Sequence, residues 1–488
     1  MAQDDTTSHF QQLHIFFVPF MARGHMIPFL HMAKFFASKG IKSTIITTKL
    51  NHPFFAAAAA AIPNLETTTI PFPAAEDAGL PPNCESMDSI TSRPDAVELA
   101  PKFFLATASL RRPLESLLET SKPDCLVADM FFPWSTAAAA RFGIPRLVFH
   151  GTGFFSLSAA ETVGIHEPHK RVSSDSEPFL IPNLPGQISM TRKQLPEYAR
   201  QSGDSGFGNL MKSVRESELK SYGVIVNSFY ELETDYADYY RSALERKAWH
   251  IGPLSLCNND NGKESERGKR DSNCLKWLDG KRTGSVIYVC FGSMSMFAAD
   301  QLREIAIGLE ASGEQFVWAV RKDESEDESE WLPQGFEARL RGRGLIVRGW
   351  APQVAILEHQ AVGGFVTHCG WNSTLEGVAA GKAMVTWPMF AEQFYNEKLV
   401  TEVLRIGVAV GATEWVRLRG GRLRGEDLKR AVRKVMDRGD EEAGEMRERS
   451  RKVGEMARRA VGEGGSSWKD LNGLIDELRR LRSHGGNV

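Results

Sequence analysis

The sequence lacks the features that mark several other protein classes. It has no run of about 18 or more apolar residues, so it predicts no membrane-spanning helix. Residues 1–10 are polar and acidic and do not resemble a secretory signal. The six cysteines form no C-x-x-C pair, which favours reduced thiols over disulfides or metal ligands. These absences predict a cytoplasmic protein.

An excess of charge of either sign is also missing. The chain has 59 basic and 61 acidic residues, which gives no electrostatic reason to expect nucleic acid as a partner. The glycine- and arginine-rich stretch at 415–424 lacks interleaved aromatic residues and is predicted to be a loop. A length of 488 residues exceeds one ordinary hydrophobic core, so two domains are expected.

The first half of the chain predicts alternating strands and helices. Apolar residues 13–20 indicate a buried strand, residues 27–39 have helical spacing closed by Gly40, and residues 43–48 indicate a second strand. This is a βαβ unit. Further predictions are helices at 56–61, 96–120 and 137–142, strands at 125–128 and 146–149, and loops at 72–95 and 168–206.

A second α/β series follows a polar, charged stretch at 257–273, which is the predicted linker. It comprises strands at 285–291, 316–320 and 345–348 and a helix at 298–311, with a solvated acidic loop at 323–330 and helices at 425–437, 441–461 and 468–482. The expected fold is α/β, with two Rossmann-like doubly wound domains facing a cleft. The predicted boundaries are 1–254, a linker at 255–275, 276–465, and a C-terminal helical segment at 466–488 that packs back on the first domain.

Residues 365–380 predict an anion site. A short strand at 365–367 leads through Gly370 into a helix at 375–380, with capping side chains in the Asn372-Ser373-Thr374 run. The N-terminus of a helix presents free N–H groups and the positive end of the helix dipole, which favours a phosphate. His368, Asn372 and Ser373 would add side-chain donors.

His25 and Asp129 each follow a predicted strand. A histidine near neutral pH suits removal of a proton from an attacking hydroxyl, and a buried carboxylate would hold its tautomer. A loop histidine and a structural carboxylate or helix cap are the alternatives. His368-Cys369 could suggest a zinc site, but no neighbouring ligands accompany the pair.

Residues 350–393 resemble the donor-binding box of plant secondary-product glycosyltransferases, which use UDP-sugars and have the GT-B fold. WAPQ, HCGWNS and a closing Glu-Gln pair stand in place; the Gly-Lys-Ala run at 381–383 departs from the pattern, and Lys382 is expected in a surface turn. The resemblance implies that His25 is the base and Asp129 orients it, with inversion and no metal. It implies that Trp350 stacks on uracil, that Gln353 binds the base and that Glu376 binds the ribose. The residues expected to bind the diphosphate are Ser293, His368, Asn372 and Ser373. The residues expected to bind the sugar are Trp371, Glu392 and Gln393. The closing glutamine favours UDP-glucose as the donor.

The acceptor is expected to be a flavonoid or related phenolic, because ARGHMIP and GFGN resemble the subgroup acting on flavonoids, triterpenes and cytokinin-like alcohols. The residues expected to line the acceptor pocket are Gly24, Met130, Phe131, Phe132, Trp134 and Phe154. For each of the apolar side chains among them, packing in the hydrophobic core is an equally good alternative. A triterpenoid, steroid or cytokinin-like acceptor stays open, as does a catalytically inactive nucleotide-sugar-binding protein. A dinucleotide oxidoreductase is disfavoured because no G-x-G-x-x-G follows the first strand. A monomer is expected.

Overall fold

The computed structural model describes residues 12–91, 93, 95–200, 206–257, 273–321, 328–416 and 423–483. The strands are β1 (His14–Val18), β2 (Lys42–Thr47), β3 (Leu65–Thr69), β4 (Cys125–Asp129), β5 (Arg146–Phe149), β6 (Pro178–Leu180), β7 (Ser189–Thr191), β8 (Gly223–Val226), β9 (Ala248–His250), β10 (Val286–Cys290), β11 (Gln315–Val320), β12 (Gly344–Arg348), β13 (Val362–Thr367), β14 (Ala383–Thr386) and β15 (Gly407–Ala409).

The α-helices are α1 (Arg23–Ser38), α2 (His52–Ala61), α3 (Ala75–Ala78), α4 (Met87–Thr91), α5 (Ala96–Ala106), α6 (Arg111–Ser121), α7 (Trp134–Ala140), α8 (Phe154–His166), α9 (Glu197–Arg200), α10 (Gly206–Leu219), α11 (Thr234–Asp238), α12 (Asn273–Asp279), α13 (Ala299–Ser312), α14 (Phe336–Leu340), α15 (Gln353–Glu358), α16 (Trp371–Ala379), α17 (Gln393–Lys398), α18 (Gly425–Met436), α19 (Glu441–Val461) and α20 (Ser466–Ser483). Among the described residues, no helix is both long enough and apolar enough to cross a membrane.

Two parallel sheets organise these elements. The first has the order β3-β2-β1-β4-β5-β8-β9 and the second β12-β11-β10-β13-β14-β15. The central strands, such as β1, β4, β10 and β13, are mostly apolar and buried because helices cover both faces of each sheet, whereas the edge strands β3, β12 and β15 are partly exposed. Strand order reverses between β1 and β4 and between β10 and β13, where ligands collect in such sheets. The predicted pair of Rossmann-like folds is confirmed.

The last helix returns to the first sheet. Four apolar side chains of α20 belong to the core beneath β1 and β4, namely Leu471, Leu474, Ile475 and Leu478. Asp470 fixes the helix by accepting hydrogen bonds from the Arg241 guanidinium at 2.7 Å and the His250 backbone N–H at 2.9 Å. The boundaries at 254 and 275 stay predictions, and residues 258–272 of the linker lie outside the described residues.

Several expected loops contain short elements. The stretch 72–95 includes α3 and α4, and the stretch 168–206 includes α9, the start of α10 and an antiparallel hairpin of β6 and β7. The helix expected at 96–120 is two helices, α5 and α6, joined by a 3₁₀ turn at Thr107–Leu110. The loop predictions missed these elements because proline and charge are also common in short capped helices. Of the loops expected at 323–330 and 415–424, residues 323–327 and 417–422 lie outside the described residues.

Candidate active site

His25 and Asp129 meet at the point where strand order reverses in the first sheet. Nδ1 of His25, in the first turn of α1, lies 2.7 Å from Oδ2 of Asp129, the last residue of β4. The carboxylate is fully buried and the imidazole is 22% exposed toward the cavity. Since Asp129 accepts the Nδ1 proton, Nε2 is the ring nitrogen left for a ligand.

The surroundings of the pair favour a charged imidazole. Burial by itself lowers the pKa of His25, but the charge and hydrogen bond of Asp129, with Glu392 and Asp88 farther off, raise that pKa above 6.5 overall. The second oxygen of Asp129 accepts a hydrogen bond from the Phe131 N–H at 3.0 Å. The carboxylate is therefore held on both sides.

The segment predicted to bind an anion is the connection from β13 to α16. The helix begins at Trp371, four residues earlier than expected, so Asn372 and Ser373 lie in its first turn and no side chain caps it. The capping prediction was wrong because Gly370 is the N-cap residue. The His368 ring packs between Gly292 and Gly370. A Cβ atom at Gly292 would lie only 2.6 Å from the His368 ring, so this position needs glycine. Burial lowers the pKa of His368 to about 4, so this imidazole is neutral at pH 7.

A hydrogen-bonded cluster lies on the first turn of α15 and the first two turns of α16. The amide nitrogen of Gln353 donates to Oγ of Ser373 at 3.0 Å and to Oε2 of Glu376 at 2.7 Å. Burial raises the pKa of Glu376 to about 7, although the bond from Gln353 lowers it. All three side chains line the cavity, and so do Ser293 and His368.

Two donor-site residues also reach across to the first sheet. The indole N–H of Trp371 donates to the Asn227 carbonyl at 2.7 Å, and the amide of Asn372 donates to the Gly24 carbonyl at 2.6 Å. The Trp371 side chain is buried against Gly153, and its indole N–H is bonded to Asn227, so this N–H is not free for the predicted contact with the sugar. The assignment of Trp371 to the sugar stays a prediction, for which its main chain is available.

The closing Glu-Gln pair stands at the start of α17. Glu392 accepts a hydrogen bond from Asn396 at 3.2 Å, and burial raises the pKa of its carboxyl. The side-chain oxygen of Gln393 accepts the N–H groups of Met389 and Phe390, which leaves its amide N–H₂ to donate. Sequence patterns gave no sign of Asn396, which also donates to Cys369 O at 2.8 Å and accepts from Ser156 Oγ at 2.7 Å.

Trp350 is 66% exposed, which is unusual for an indole. The guanidinium of Arg23, from the first turn of α1, lies 5.4 Å from its ring centroid. The cation–π contact joins the two sides of the cleft. An exposed aromatic face beside Gln353 suits stacking by a planar base. Lys382 lies in the expected turn, where its N–H donates to the Gly377 carbonyl, but its side chain is partly buried and donates to the Val362 carbonyl at 2.8 Å.

One cavity of about 2400 Å³ connects the predicted catalytic pair with the predicted donor-binding residues. Gly24, Met130 and Phe131 line it, whereas Phe132, Trp134 and Phe154 do not. Phe132 and Phe154 are fully buried, and Trp134 packs on Phe132 against the hydrophobic core. These three predicted acceptor residues therefore belong to the core and not to the cavity wall. Four aromatic side chains that the sequence did not indicate also line the cavity, namely Phe20, Phe104, Tyr198 and Phe207.

Among the described residues, no group of three or more His, Cys, Asp or Glu side chains is arranged to hold a metal ion.

Comparison with known proteins identifies the family of the chain. The chain matches the family model "UDP-glucoronosyl and UDP-glucosyl transferase" over residues 247–446 and "Glycosyltransferase, N-terminal domain" over residues 11–256. It is 52% identical to scopoletin glucosyltransferase of Nicotiana tabacum (97% of this chain, 99% of that protein). It is 54% identical to UDP-glucose flavonoid 3-O-glucosyltransferase 7 of Fragaria ananassa, over 99% of each chain.

The fold is also similar to that of a solved structure. The crystal structure of Glycyrrhiza uralensis UGT73P12, complexed with glycyrrhetinic acid 3-O-monoglucuronide, superposes with a TM-score of 0.90 at 40% identity, covering 98% of this chain and 97% of that chain. Together with the facing sheets and the cavity between them, these matches show a GT-B enzyme that glycosylates small metabolites, and the chain belongs to the plant UDP-glycosyltransferase family.

Proposed function

We propose that this enzyme transfers glucose from UDP-glucose to a hydroxyl of a flavonoid or related phenolic, with inversion at C1. The observation that carries the proposal is the 2.7 Å contact of His25 with Asp129 in the cavity that the donor residues also line. In this proposal residues 1–254 bind the acceptor and residues 276–465 bind the donor.

His25 acts as the general base. Its Nε2 takes the proton of the acceptor hydroxyl while the oxygen attacks C1 of the sugar, and the C1–O bond to UDP breaks. Asp129 holds the tautomer and stabilises the imidazolium that forms, as carboxylates do in hydrolase triads. One displacement inverts C1, and no covalent intermediate is needed.

Departure of UDP requires donors aimed at the diphosphate. The N-terminus of α16, with Ser373 in its first turn, supplies backbone N–H groups and the helix dipole. His368 is neutral and acts as a hydrogen-bond donor, while Ser293 is on the neighbouring β10 side of the cavity. Such preorganised donors stabilise the charge that develops on the leaving group.

The ring cluster beside His25 supports a flat acceptor. Phe131 lies 5.6 Å from the His25 ring centroid, and Phe104 lies 5.0 Å from Phe131 and 5.5 Å from Phe207. Offset and tilted rings at these spacings suit an aromatic guest. The names of the relatives from Nicotiana and Fragaria, which act on scopoletin and a flavonoid, agree with this class.

A triterpenoid acceptor is the second candidate. A cavity of about 2400 Å³ exceeds the usual 300–1,000 Å³ of a single ligand pocket, so it has room for a bulky polycyclic guest beside the donor. The ligand of the Glycyrrhiza structure belongs to that class.

The test is an acceptor panel. Flavonoids, simple phenols and triterpenes are incubated with UDP-glucose, UDP-galactose or UDP-glucuronate while UDP release is measured, and the anomeric configuration of the product is determined by NMR. Turnover of phenolics with UDP-glucose and a β-linked product are expected. UDP binding without turnover of any acceptor would point to an inactive binding protein instead.

A further inference from the structure

A buried arginine lies behind the predicted catalytic pair. Arg146 is the first residue of β5, the strand next to β4, and it is only 3% exposed. Its Nη2 donates hydrogen bonds to the carbonyl oxygens of Ala128 and Asp129, at 3.3 and 3.0 Å. The guanidinium therefore contacts the backbone of the residue whose carboxylate binds His25.

Two buried hydroxyls hold the other nitrogen of the guanidinium. Nη1 of Arg146 donates to Oγ1 of Thr136 in α7 at 3.0 Å and to Oγ of Ser217 in α10 at 3.1 Å. The Thr136 hydroxyl itself donates to the Ser217 carbonyl, and the Ser217 hydroxyl donates to the Pro133 carbonyl. Both oxygens are thus acceptors toward Arg146, and these four bonds of the guanidinium all end on neutral oxygens.

A buried cation with neutral partners depends on charges of opposite sign at longer range, because burial disfavours the charged form. Burial lowers the pKa of Arg146 to about 10, while the charges of Asp129 and Glu218 act in the other direction. Arg146 is therefore a cation at pH 7. Because the attraction between two charges is mutual, this cation also stabilises the carboxylate of Asp129.

The surroundings of Asp129 call for such a cation. Its carboxylate is fully buried, and its oxygens accept one bond from His25 and one from a backbone N–H. When His25 is neutral, neither donor carries a charge. Asp88 of α4 and Glu392, the N-cap residue of α17, act on His25 and add only negative charge. A buried carboxylate in such a place binds a proton unless a cation offsets its charge, and Arg146 supplies one from the backbone side.

We infer that Arg146 is a positioning residue of the catalytic pair, whose buried charge holds the Asp129 peptide and keeps the Asp129 carboxylate ionised while His25 is neutral. The inference rests on the proposed function, in which His25 is the base. Without this cation the pair would keep its proton to higher pH, and less of the enzyme would hold a neutral base near pH 7.

The test is the titration of the His25 ring, followed by NMR with isotope-labelled histidine and assigned with His25→Ala. Arg146→Gln keeps an amide donor but removes the charge, so the midpoint should rise by about one pH unit. Arg146→Lys keeps the charge, and its midpoint should stay close to that of the wild type. The pH profile of kcat/KM should move in the same direction as the titration.

Two control variants separate the charge from the packing. Ser217→Ala removes one acceptor of Arg146 without changing a charge, so the His25 midpoint should not move. Arg241→Gln removes a half-buried guanidinium that binds Asp470 outside the cavity, and it should not move the midpoint either.

Thermal melting shows whether each variant is folded. If Arg146→Gln is not, the change is made together with Glu218→Gln, which removes both buried charges at once, and the double variant is compared with Glu218→Gln alone. The same rise of the midpoint is expected.

Two results would overturn the inference. One is an Arg146→Gln enzyme with a lower rate and an unchanged His25 midpoint, which would make Arg146 a purely structural residue. The other is an equal rise in Arg146→Lys, which would mean that the bonds of the guanidinium matter and its charge does not. The titration needs neither donor nor acceptor, so it decides the inference even if no phenolic is turned over, a failure that would refute the proposed function alone.

Discussion

The side-chain amide of Asn372 donates a hydrogen bond of 2.6 Å to the backbone carbonyl of Gly24, the residue before His25. Asn372 lies in the first turn of α16, beside the proposed diphosphate site, and Gly24 lies in the first turn of α1. The bond thus joins the backbone beside the proposed base to the helix that is proposed to stabilise the leaving group.

Asn372→Ala should therefore affect donor binding and chemistry together. We expect the KM for UDP-glucose to rise and kcat to fall about tenfold, because one partly buried hydrogen bond and the position of His25 are lost at once. Asn472→Ala is a matched control, since it removes an amide bond to the Trp468 carbonyl within α20. A rise of KM with kcat unchanged would show that the contact with Gly24 does not position the base.

His25→Ala should lower kcat by roughly 10²–10⁴, the usual contribution of a positioned base, and leave the Kd for UDP within about twofold. Steady-state kinetics and UDP titration by calorimetry measure the two quantities. His52→Ala should be neutral, because His52 binds Thr67 at 3.0 Å and does not line the cavity. Full activity of His25→Ala would mean that another group is the base.

The pH dependence follows from the raised pKa of His25. The base must be neutral, so kcat/KM should rise with pH through that pKa, with a midpoint above 6.5, and then level off. Asp129→Asn removes the charge that raises the pKa, so the midpoint should move to lower pH while the plateau rate falls. Rates measured between about pH 5 and 9 give both midpoints. A midpoint that moved upward in Asp129→Asn would contradict this account.

Trp350→Ala should weaken UDP binding about 5- to 150-fold, since stacking of a base on an aromatic ring contributes ~1–3 kcal/mol. The melting temperature should hardly change, because the indole is 66% exposed. Trp350→Phe should keep part of the affinity. Equal UDP affinity in all three proteins would remove Trp350 from the base site.

Leu474→Ala should lower the free energy of unfolding by ~2–5 kcal/mol, the cost of a cavity at a fully buried leucine. Denaturant unfolding followed by fluorescence measures the change. Arg479→Ala, at an exposed position of the same helix, should change it by about 0.5 kcal/mol or less. A small effect at Leu474 would mean that α20 contributes little to the first sheet.

The fold was largely predictable because buried parallel strands have continuous apolar runs. β1, β4, β10 and β13 each contain such a run, and the expected strands at 13–20, 125–128, 285–291 and 365–367 overlap them. Short elements such as α3, α4 and the β6–β7 hairpin were missed, because few residues define them and proline and charge mask their pattern.

The proximity of His25 to Asp129, and of the proposed donor residues to one another, could be predicted from sequence for a similar reason. Residues 350–393 are contiguous, and a strand–turn–helix segment fixes most of their geometry locally. His25 and Asp129 each follow a strand, and parallel strands bring their ends to the same edge.

The sequence by itself determined the fold class and the family and predicted the segment that binds the donor, because these depend on local periodicity and on residues close together in the chain. Only the tertiary structure decided which face each side chain presents. The bonds from Trp371 to Asn227 and from Asn372 to Gly24 span 144 and 348 positions, and no local pattern encodes such contacts. Phe154 and Phe207 are both aromatic, yet packing buries the first in the core and leaves the second in the cavity wall. Hydrophobicity drives a ring out of water, but the shape of the surrounding helices decides where it goes.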